Sequence, residues 1–222
     1  SQSPSMLMSS SDEWNYLLPP LRALIQRDFG HDIPVGVTEI NTNPKNLVPS
    51  AGLASLWWAD TLGTLMNQKT EYVAFFSAAG VNRPYPLFSQ DGLHETAMER
   101  VMELFGHLQG NLVPLNIQRD PISVYATQDK GHQNVSLLFV NKSATTQLAQ
   151  ITPANEIFSA SPWHNLNVSV AAYSMVVVTL TRNGGAVAYN FIAPASADAT
   201  IPPLTYTVCG HKTDALENSV PC

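Results

Sequence analysis

The sequence predicts a chain of two unlike parts, an α/β part over residues 1–110 and an all-β part that follows it. Before Gly110, helix-length amphipathic segments alternate with short apolar segments about thirty residues apart, which is the order of β/α units. After Gly110, short segments rich in β-branched and aromatic residues follow at close spacing, with turn residues between them. No segment of helical periodicity interrupts them, so we expect antiparallel sheets there.

The composition argues against a nucleic-acid-binding or membrane-spanning protein and favours a secreted one. Of the 222 residues, 45% are apolar and only 13% are charged, against about a quarter in ordinary soluble domains. The net charge of −6 provides no basic surface for nucleic acid, and no apolar run is long enough to span a membrane. The low charge and the 16 prolines suit a secreted, extracellular protein, although no signal peptide is expected at Ser1.

The N-terminal segment predicts two short helices. Residues 1–11 are rich in serine and are expected to form a loop, and Ser11 is placed to cap a helical turn over residues 12–18. Pro19-Pro20 then interrupts, and a second helix is expected to begin there and to stop at Gly30. Its apolar stripe comprises Leu21, Leu24, Ile25 and Phe29.

The segment from Pro34 to Asn43 predicts a short strand that presents one carboxylate. Val35 to Val37 form the apolar strand, and Glu39 follows at its C-terminal end, before a loop rich in Pro and Asn. Catalytic groups of a (β/α)8 barrel lie at this end of the strands. A solvated or helix-capping Glu is the alternative interpretation of the same residue.

A long helix and a second strand come next. Ser50 is expected to cap a helix over residues 51–67, in which Trp57 and Trp58 are interpreted as packing residues and Asp60 as part of the polar side. Residues 71–79 are apolar and aromatic throughout, as in strands of a parallel sheet that are buried on both faces. A loop over residues 80–92 and a helix over residues 94–108 complete the α/β part.

The all-β part is predicted as an antiparallel β-sandwich over residues 111–193, followed by a tail over residues 194–222. Its strands are expected at Val113–Ile117, Ile122–Thr127, Val135–Asn141, Gln147–Ile151, Leu166–Val170, Met175–Thr181 and Ala186–Phe191. Cys209 and Cys222 are spaced to close a small loop by a disulfide, which would imply an oxidising compartment. Glycosylation triplets occur at Asn134, Asn141 and Asn167.

Metal and cofactor motifs are missing from the sequence. The six histidines show no pairing at metal-ligand spacing, and there is no Gly-rich phosphate loop. We therefore predict neither a metal nor a cofactor.

Three segments, PVGVTEINTNP, GLASLWWADTLGTLM and YVAFFSAAG, followed by a helix and a run of strands, resemble the C-terminal part of clan A glycoside hydrolases. The resemblance is to groups whose (β/α)8 barrel carries a β-sandwich, such as families 39, 44, 51 and 79. It implies that residues 1–110 are the C-terminal portion of such a barrel. In those families the acid of a T-E-x-N-like motif at the end of the seventh strand is the nucleophile, which implies that role for Glu39.

The resemblance also implies that this chain is catalytically incomplete. Retaining glycosidases need a second carboxyl group about 5–5.5 Å from the nucleophile, and the resemblance places it on the fourth strand, which this chain lacks. The resemblance makes residues 71–79 the eighth strand, and Asp91 and Glu95, which follow it, do not match that position. We expect the chain alone to be inactive, and its partners to be a carbohydrate substrate and the N-terminal barrel portion as a separate chain, or a second copy.

Three residues are candidate substrate contacts. Asn41 follows the nucleophile and has an amide suited to sugar hydroxyls, but the turn itself is the favoured explanation for it. The families often place a Trp after the eighth strand, whereas Phe76 stands here, and Tyr85 in the next loop is a substitute platform. A second hypothesis is a non-catalytic extracellular structural or carbohydrate-binding protein. A partner carboxyl within about 6 Å of Glu39 would exclude it.

Overall fold

The computed structural model describes residues 4–42, 49–79, 85–115, 121–151, 166–194 and 201–209. The chain divides into two compact units. One comprises Ser1–Val101 with Pro194–Ile201, and the other comprises Met102–Ala193 with Pro202–Cys222. The first is mixed helix and strand, and the second is built from antiparallel sheets.

The N-terminal segment is helical from Pro4, so the loop predicted over these residues and the predicted break at the two prolines are both wrong. Helix α1 (Pro4–Ser10), a 3₁₀ turn (Ser11–Glu13) and helix α2 (Trp14–Phe29) follow one another directly. Pro19 and Pro20 lie inside α2 with exposed side chains. Proline fits helical backbone angles, and its cost is a lost N–H donor and a clash with the carbonyl four residues earlier, which this helix tolerates.

Helix α2 ends where the sequence predicted. Gly30 adopts a left-handed conformation with φ +74°, and its N–H donates to the Gln26 carbonyl at 2.9 Å. The apolar stripe of this helix is uncovered, however. Its exposed large apolar side chains are Tyr16, Leu17, Leu21, Leu24 and Phe29.

Helix α3 (Ala51–Asn67) is buried on nearly every side. Ser50 caps it as predicted, since its Oγ accepts from the Leu53 N–H at 3.2 Å. Trp57 and Trp58 are buried packing residues. Asp60 does not lie on a polar side, because it is fully buried and accepts a hydrogen bond from the Ser11 hydroxyl. The helical spacing could not reveal that the 3₁₀ turn would supply this partner.

Two short parallel strands flank α3 in the sequence, one before it and one after it. Strand β1 (Val37–Ile40) pairs with β2 (Val73–Phe75) in the register Val37 to Val73 and Ile40 to Phe75. Strand β1 therefore lies later than predicted and β2 is shorter. Helix α4 (Ala97–Phe105) is also shorter than predicted, because the Thr96 hydroxyl caps it by accepting from the Met98 N–H at 3.1 Å.

The second unit contains a six-stranded antiparallel sheet in the order β10-β9-β8-β5-β4-β3 and a separate antiparallel pair, β6 and β7. The strands are β3 (Asn111–Leu112), β4 (Ile122–Gln128), β5 (Asn134–Asn141), β6 (Gln147–Ile151), β7 (Leu166–Val170), β8 (Ser174–Thr181), β9 (Ala186–Ile192) and β10 (Thr205–Cys209). The prediction missed β10, which pairs with β9 within the expected tail, and it placed β3 too late.

One face of the six-stranded sheet packs against β7 to form an apolar core. Its largest members from the sheet are Phe139, Leu137 and Leu180, and Val168 and Val170 face them from β7. Alternate residues of each strand point into this core, as expected for paired sheets.

Asn141 lies beside this core and is fully buried. Its Nδ2 donates to the carbonyls of Thr145, Val170 and Ala171 at 2.8–3.0 Å. A buried amide with three acceptors is not accessible to a glycan, so the structure argues against modification at Asn141. Glycosylation of Asn134 and Asn167 stays a prediction. Cys222 lies outside the described residues, so its disulfide with Cys209 also stays a prediction.

We expect Gly110→Ala to lower the free energy of unfolding by roughly 3 kcal/mol. Gly110 has φ +92°, and a Cβ there would lie 2.0 Å from the Gln128 carbonyl oxygen. Gly92 is the matched control, because it has φ +75° with nothing within 4 Å of a Cβ. Gly92→Ala should cost only the left-handed strain, about 1 kcal/mol. Urea unfolding of both variants would measure the difference, and equal effects would refute the steric argument.

Candidate active site

The parallel pair β1–β2 presents Glu39 at its carboxyl end. Glu39 is the third residue of β1, and its side chain is exposed, whereas that of Ile40 is buried beneath it. The ladder continues past Ile40, whose carbonyl accepts from the Phe76 N–H at 2.9 Å. The two strands therefore end at the same level. This shared end is called the rim below, and the accessible Glu39 carboxylate lies beside it.

Asn41 joins the two strand ends. Its Nδ2 donates to the Phe76 carbonyl at 2.6 Å, and its Oδ1 accepts from the Thr42 N–H at 2.6 Å. These bonds use the amide to hold the backbone after Glu39 against the backbone after β2. The structure thus brings together two of the three candidate substrate contacts, Asn41 and Phe76. The hydrogen bond that joins them holds the backbone in place and does not involve a ligand.

We expect Asn41→Ala to lower the free energy of unfolding by about 1–2 kcal/mol, because the Phe76 carbonyl and the Thr42 N–H would each lose a partner. Thr38→Ala, at an exposed position of the same strand, is the control and should stay within about 0.5 kcal/mol of the parent. Denaturant unfolding measures both. An unchanged midpoint in Asn41→Ala would mean that this amide is not needed to hold the two strand ends together.

Tyr85 is held by a different contact. Its hydroxyl donates to the Pro49 carbonyl at 2.6 Å, and its backbone has φ +56°. The ring is therefore fixed between the segment that precedes α3 and the segment that follows β2. This contact explains its half-buried position without a ligand, and a substrate contact by Tyr85 stays a prediction.

An aromatic support beneath the site was not apparent from the sequence. Trp58 of α3 lies against Phe75, the last residue of β2, with ring centroids 4.6 Å apart and an interplanar angle of 48°. The pair fixes the end of β2 on the helix. The FF dipeptide in the sequence gave no indication of which ring faces α3, and the structure assigns that role to Phe75. The peptide bond between the next two residues, Phe76 and Ser77, is cis.

Asp91, in the loop that follows β2, is a poor general acid. Asp91 accepts from the Ser89 hydroxyl and from the Leu93 N–H, and these hydrogen bonds hold its pKa below the ordinary value. A glycosidase acid needs an environment that raises its pKa, the opposite of that around Asp91. Glu95 lies 3.7 Å from the Arg100 guanidinium.

Metal and membrane features can be judged only for the part of the chain that the structure describes. Within those ranges, no three His, Cys, Asp or Glu side chains gather closely enough to hold a metal ion. Among the described helices, none combines the length and the apolar character needed to cross a bilayer.

Comparison with known proteins finds similarity in the fold but none at the level of a sequence family. No protein-family model matches the chain, and no curated protein matches it either. Solved structures do match. An arabinose-bound GH51 α-L-arabinofuranosidase has a TM-score of 0.59 at 12% identity, over 95% of this chain and 33% of its own. A glucosidase from Croceicoccus marinus has a TM-score of 0.56 at 10% identity, over 94% of this chain and 49% of its own.

A third structure is a family 44 endoglucanase from "Clostridium acetobutylium", with a TM-score of 0.53 at 13% identity, over 75% of this chain and 35% of its own. The predicted resemblance to clan A glycoside hydrolases is thus confirmed at the level of the fold. At these identities the likeness concerns the fold alone. The chain spans about a third to a half of the length of these proteins.

Proposed function

We propose that this chain is the C-terminal part of a secreted retaining glycoside hydrolase that cleaves O-glycosidic bonds of an oligo- or polysaccharide, with Glu39 as its nucleophile. The observation that carries the proposal is the exposed carboxylate at the carboxyl end of a parallel β/α pair, the position of catalytic groups in a (β/α)8 barrel. The fold likeness to several glycoside hydrolases supports it.

The residue type suits the reaction. The Glu39 carboxylate would attack the anomeric carbon while an acid protonates the leaving oxygen, and the C–O bond breaks as the glycosyl ester forms. Water, deprotonated by the same group in its basic form, then attacks the anomeric carbon, and the bond from that carbon to the Glu39 oxygen breaks, which regenerates the carboxylate. Asn41 and the Trp58–Phe75 pair would hold the rim in place during these steps.

The general acid would come from the missing barrel portion. Within the described residues only two parallel strands are present, whereas a closed barrel has eight. The uncovered stripe of α2 agrees with a missing neighbour, since exposed apolar area costs about 25 cal/mol per Å². We propose an N-terminal barrel portion as the partner, with self-association as the alternative, and we expect no turnover by this chain alone.

Covalent trapping tests the proposal. The enzyme that contains this chain and the rest of its barrel would be treated with 2-deoxy-2-fluoro glycosyl fluorides of arabinose, xylose and glucose, then digested and analysed by mass spectrometry. The fluorine slows hydrolysis of the glycosyl ester, so the label should remain on the peptide that contains Glu39. Label on another carboxylate, or an unlabelled enzyme during turnover of the parent sugar, would contradict it. Absence of both label and turnover with all of these sugars would favour the non-catalytic carbohydrate-binding role instead.

A further inference from the structure

The second unit carries a small polar cleft on the face of the six-stranded sheet that points away from β7. Its volume is about 210 Å³, and its lining includes Asn134, Ser136, Thr179 and Tyr189. Ser136 and Thr179 are opposite one another on β5 and β8, and their hydroxyl oxygens lie 2.9 Å apart. The cleft therefore has a floor of hydroxyl groups on rigid strands.

The same cross-strand row extends beyond the cleft. Thr127 of β4 is opposite Ser136, and its Oγ1 is buried without a hydrogen-bond partner in the described part of the chain. On the other side, Val187 of β9 is opposite Thr179, and Val208 of β10 is opposite Val187. The row thus changes from buried hydroxyls at β4 to an exposed apolar side chain at the sheet edge.

Asp129 forms one wall of the cleft and is fixed in place. Its Oδ1 accepts from the N–H groups of Gln133 and Asn134, at 2.7 and 3.1 Å, and its Oδ2 accepts from Asn134 Nδ2 at 3.1 Å. These bonds, above all the one from the Asn134 backbone, hold its pKa below the ordinary value. The wall is a preorganised anion whose remaining lone pairs suit hydroxyl donors.

Aromatic rings also line the cleft and continue to the sheet edge. The His107 ring stacks on Tyr189 with centroids 3.6 Å apart and an interplanar angle of 13°. Burial lowers the pKa of His107, so the ring is neutral at neutral pH. Tyr206 lies opposite Tyr189 on β10, with ring centroids 6.3 Å apart, and it is 69% exposed.

We propose that this face is a carbohydrate-binding site for a short neutral oligosaccharide, with one sugar in the cleft against Asp129 and Thr179 and the chain continuing over Tyr206. A sugar ring has apolar C–H faces that stack on aromatic rings and a rim of hydroxyls that pair with carboxylates and amides. From β5 to β10 there are three strand spacings, about 14 Å, which is longer than a single ring.

Other ligand classes fit less well. The ionised Asp129 repels anions such as phosphate or uronic acids. The cleft is also smaller than the roughly 300 Å³ at which sites for drug-sized molecules begin, so one sugar of a chain fits it better than a bulky cofactor.

Isothermal titration calorimetry on the full chain tests the proposal. The chain would be made in a bacterial host, so that Asn134 carries no glycan, and titrated with cellohexaose, xylohexaose, arabinohexaose and trigalacturonate. We expect at least one neutral oligosaccharide to bind at about millimolar concentration. Tyr206→Ala should weaken binding roughly two- to ten-fold, Thr179→Val should also weaken it, and Tyr206→Phe should preserve it.

Tyr173→Ala is the matched control, because Tyr173 is an exposed tyrosine in the turn before β8 and away from the cleft. Absence of binding by all three neutral oligosaccharides, or equal weakening by Tyr173→Ala and Tyr206→Ala, would overturn the proposal. Preferential binding of trigalacturonate would do the same. The site does not use Glu39, so binding should persist in Glu39→Gln, and a failed covalent trapping experiment would leave it unaffected.

Discussion

Replacement of Glu39 by Gln should reduce glycosidase turnover of the assembled enzyme by roughly 10⁴-fold or more, the scale seen when a nucleophile is removed. The amide has nearly the shape of the carboxylate, so packing around β1 is preserved. It carries no negative charge, however, and cannot attack the anomeric carbon. Initial rates with an activated aryl glycoside measure the effect, and thermal unfolding should show an unchanged midpoint, because the side chain is exposed.

Glu71→Gln is the matched control for that substitution. Glu71 is an exposed carboxylate just before the opposite, N-terminal end of β2, where its N–H donates to the Val35 carbonyl at 2.9 Å. Its substitution should leave turnover within about two-fold of the parent enzyme. Azide added to Glu39→Gly should restore turnover with an inverted glycosyl azide as product, because the anion takes the place of the missing nucleophile. Equal losses in Glu39→Gln and Glu71→Gln would remove Glu39 from the mechanism.

The largest stability effect is expected for Trp58→Ala, which should lower the free energy of unfolding by about 3–5 kcal/mol. Trp58 is fully buried in α3 and contacts Phe75 at the end of β2. Removing the indole would leave a cavity between the helix and the strand that ends beside the candidate site. Urea unfolding measures the loss, and a value below about 1 kcal/mol would mean that the surroundings collapse to fill the space.

Trp58→Phe separates packing from hydrogen bonding at this position. The indole Nε1 of Trp58 is buried and has no partner in the described part of the chain, so its removal should cost little beyond lost volume. Trp57 is the comparison, because its Nε1 donates to the Ser10 hydroxyl at 3.0 Å. We therefore expect Trp57→Phe to lose about 1 kcal/mol more for its hydrogen bond than Trp58→Phe does.

Features set by local pattern were predictable from the sequence. The cap at Ser50, the left-handed stop at Gly30 and the strands β4 to β9 lie where residue periodicity and turn residues indicated. Glu39 was also expected on a strand end, because the apolar run before it and the Pro- and Asn-rich loop after it are local signals. Its chemical role was inferred from a resemblance, and the structure adds its exposure and its neighbours.

Features set by distant contacts were not predictable. Asp60 has the spacing of a polar helix side, yet Ser11 from the N-terminal segment makes its burial possible. Strand β10 lies in the segment expected to be a tail, and although Thr205 to Val208 alternate polar and apolar residues, only the pairing with the edge of β9 makes it part of the sheet. The role of Asn41 depends on a carbonyl thirty-five residues away, which no local pattern encodes.

Two hydrogen bonds, from the Trp57 indole to the Ser10 hydroxyl and from the Ser11 hydroxyl to Asp60, have a practical consequence for protease trimming. Here, cleavage after Ser11 would deprive an interior carboxylate of a donor and an indole of its acceptor. Ser10 at the end of the first helix and Ser11 in the 3₁₀ turn therefore have to stay attached for α3 to keep both of these internal hydrogen bonds.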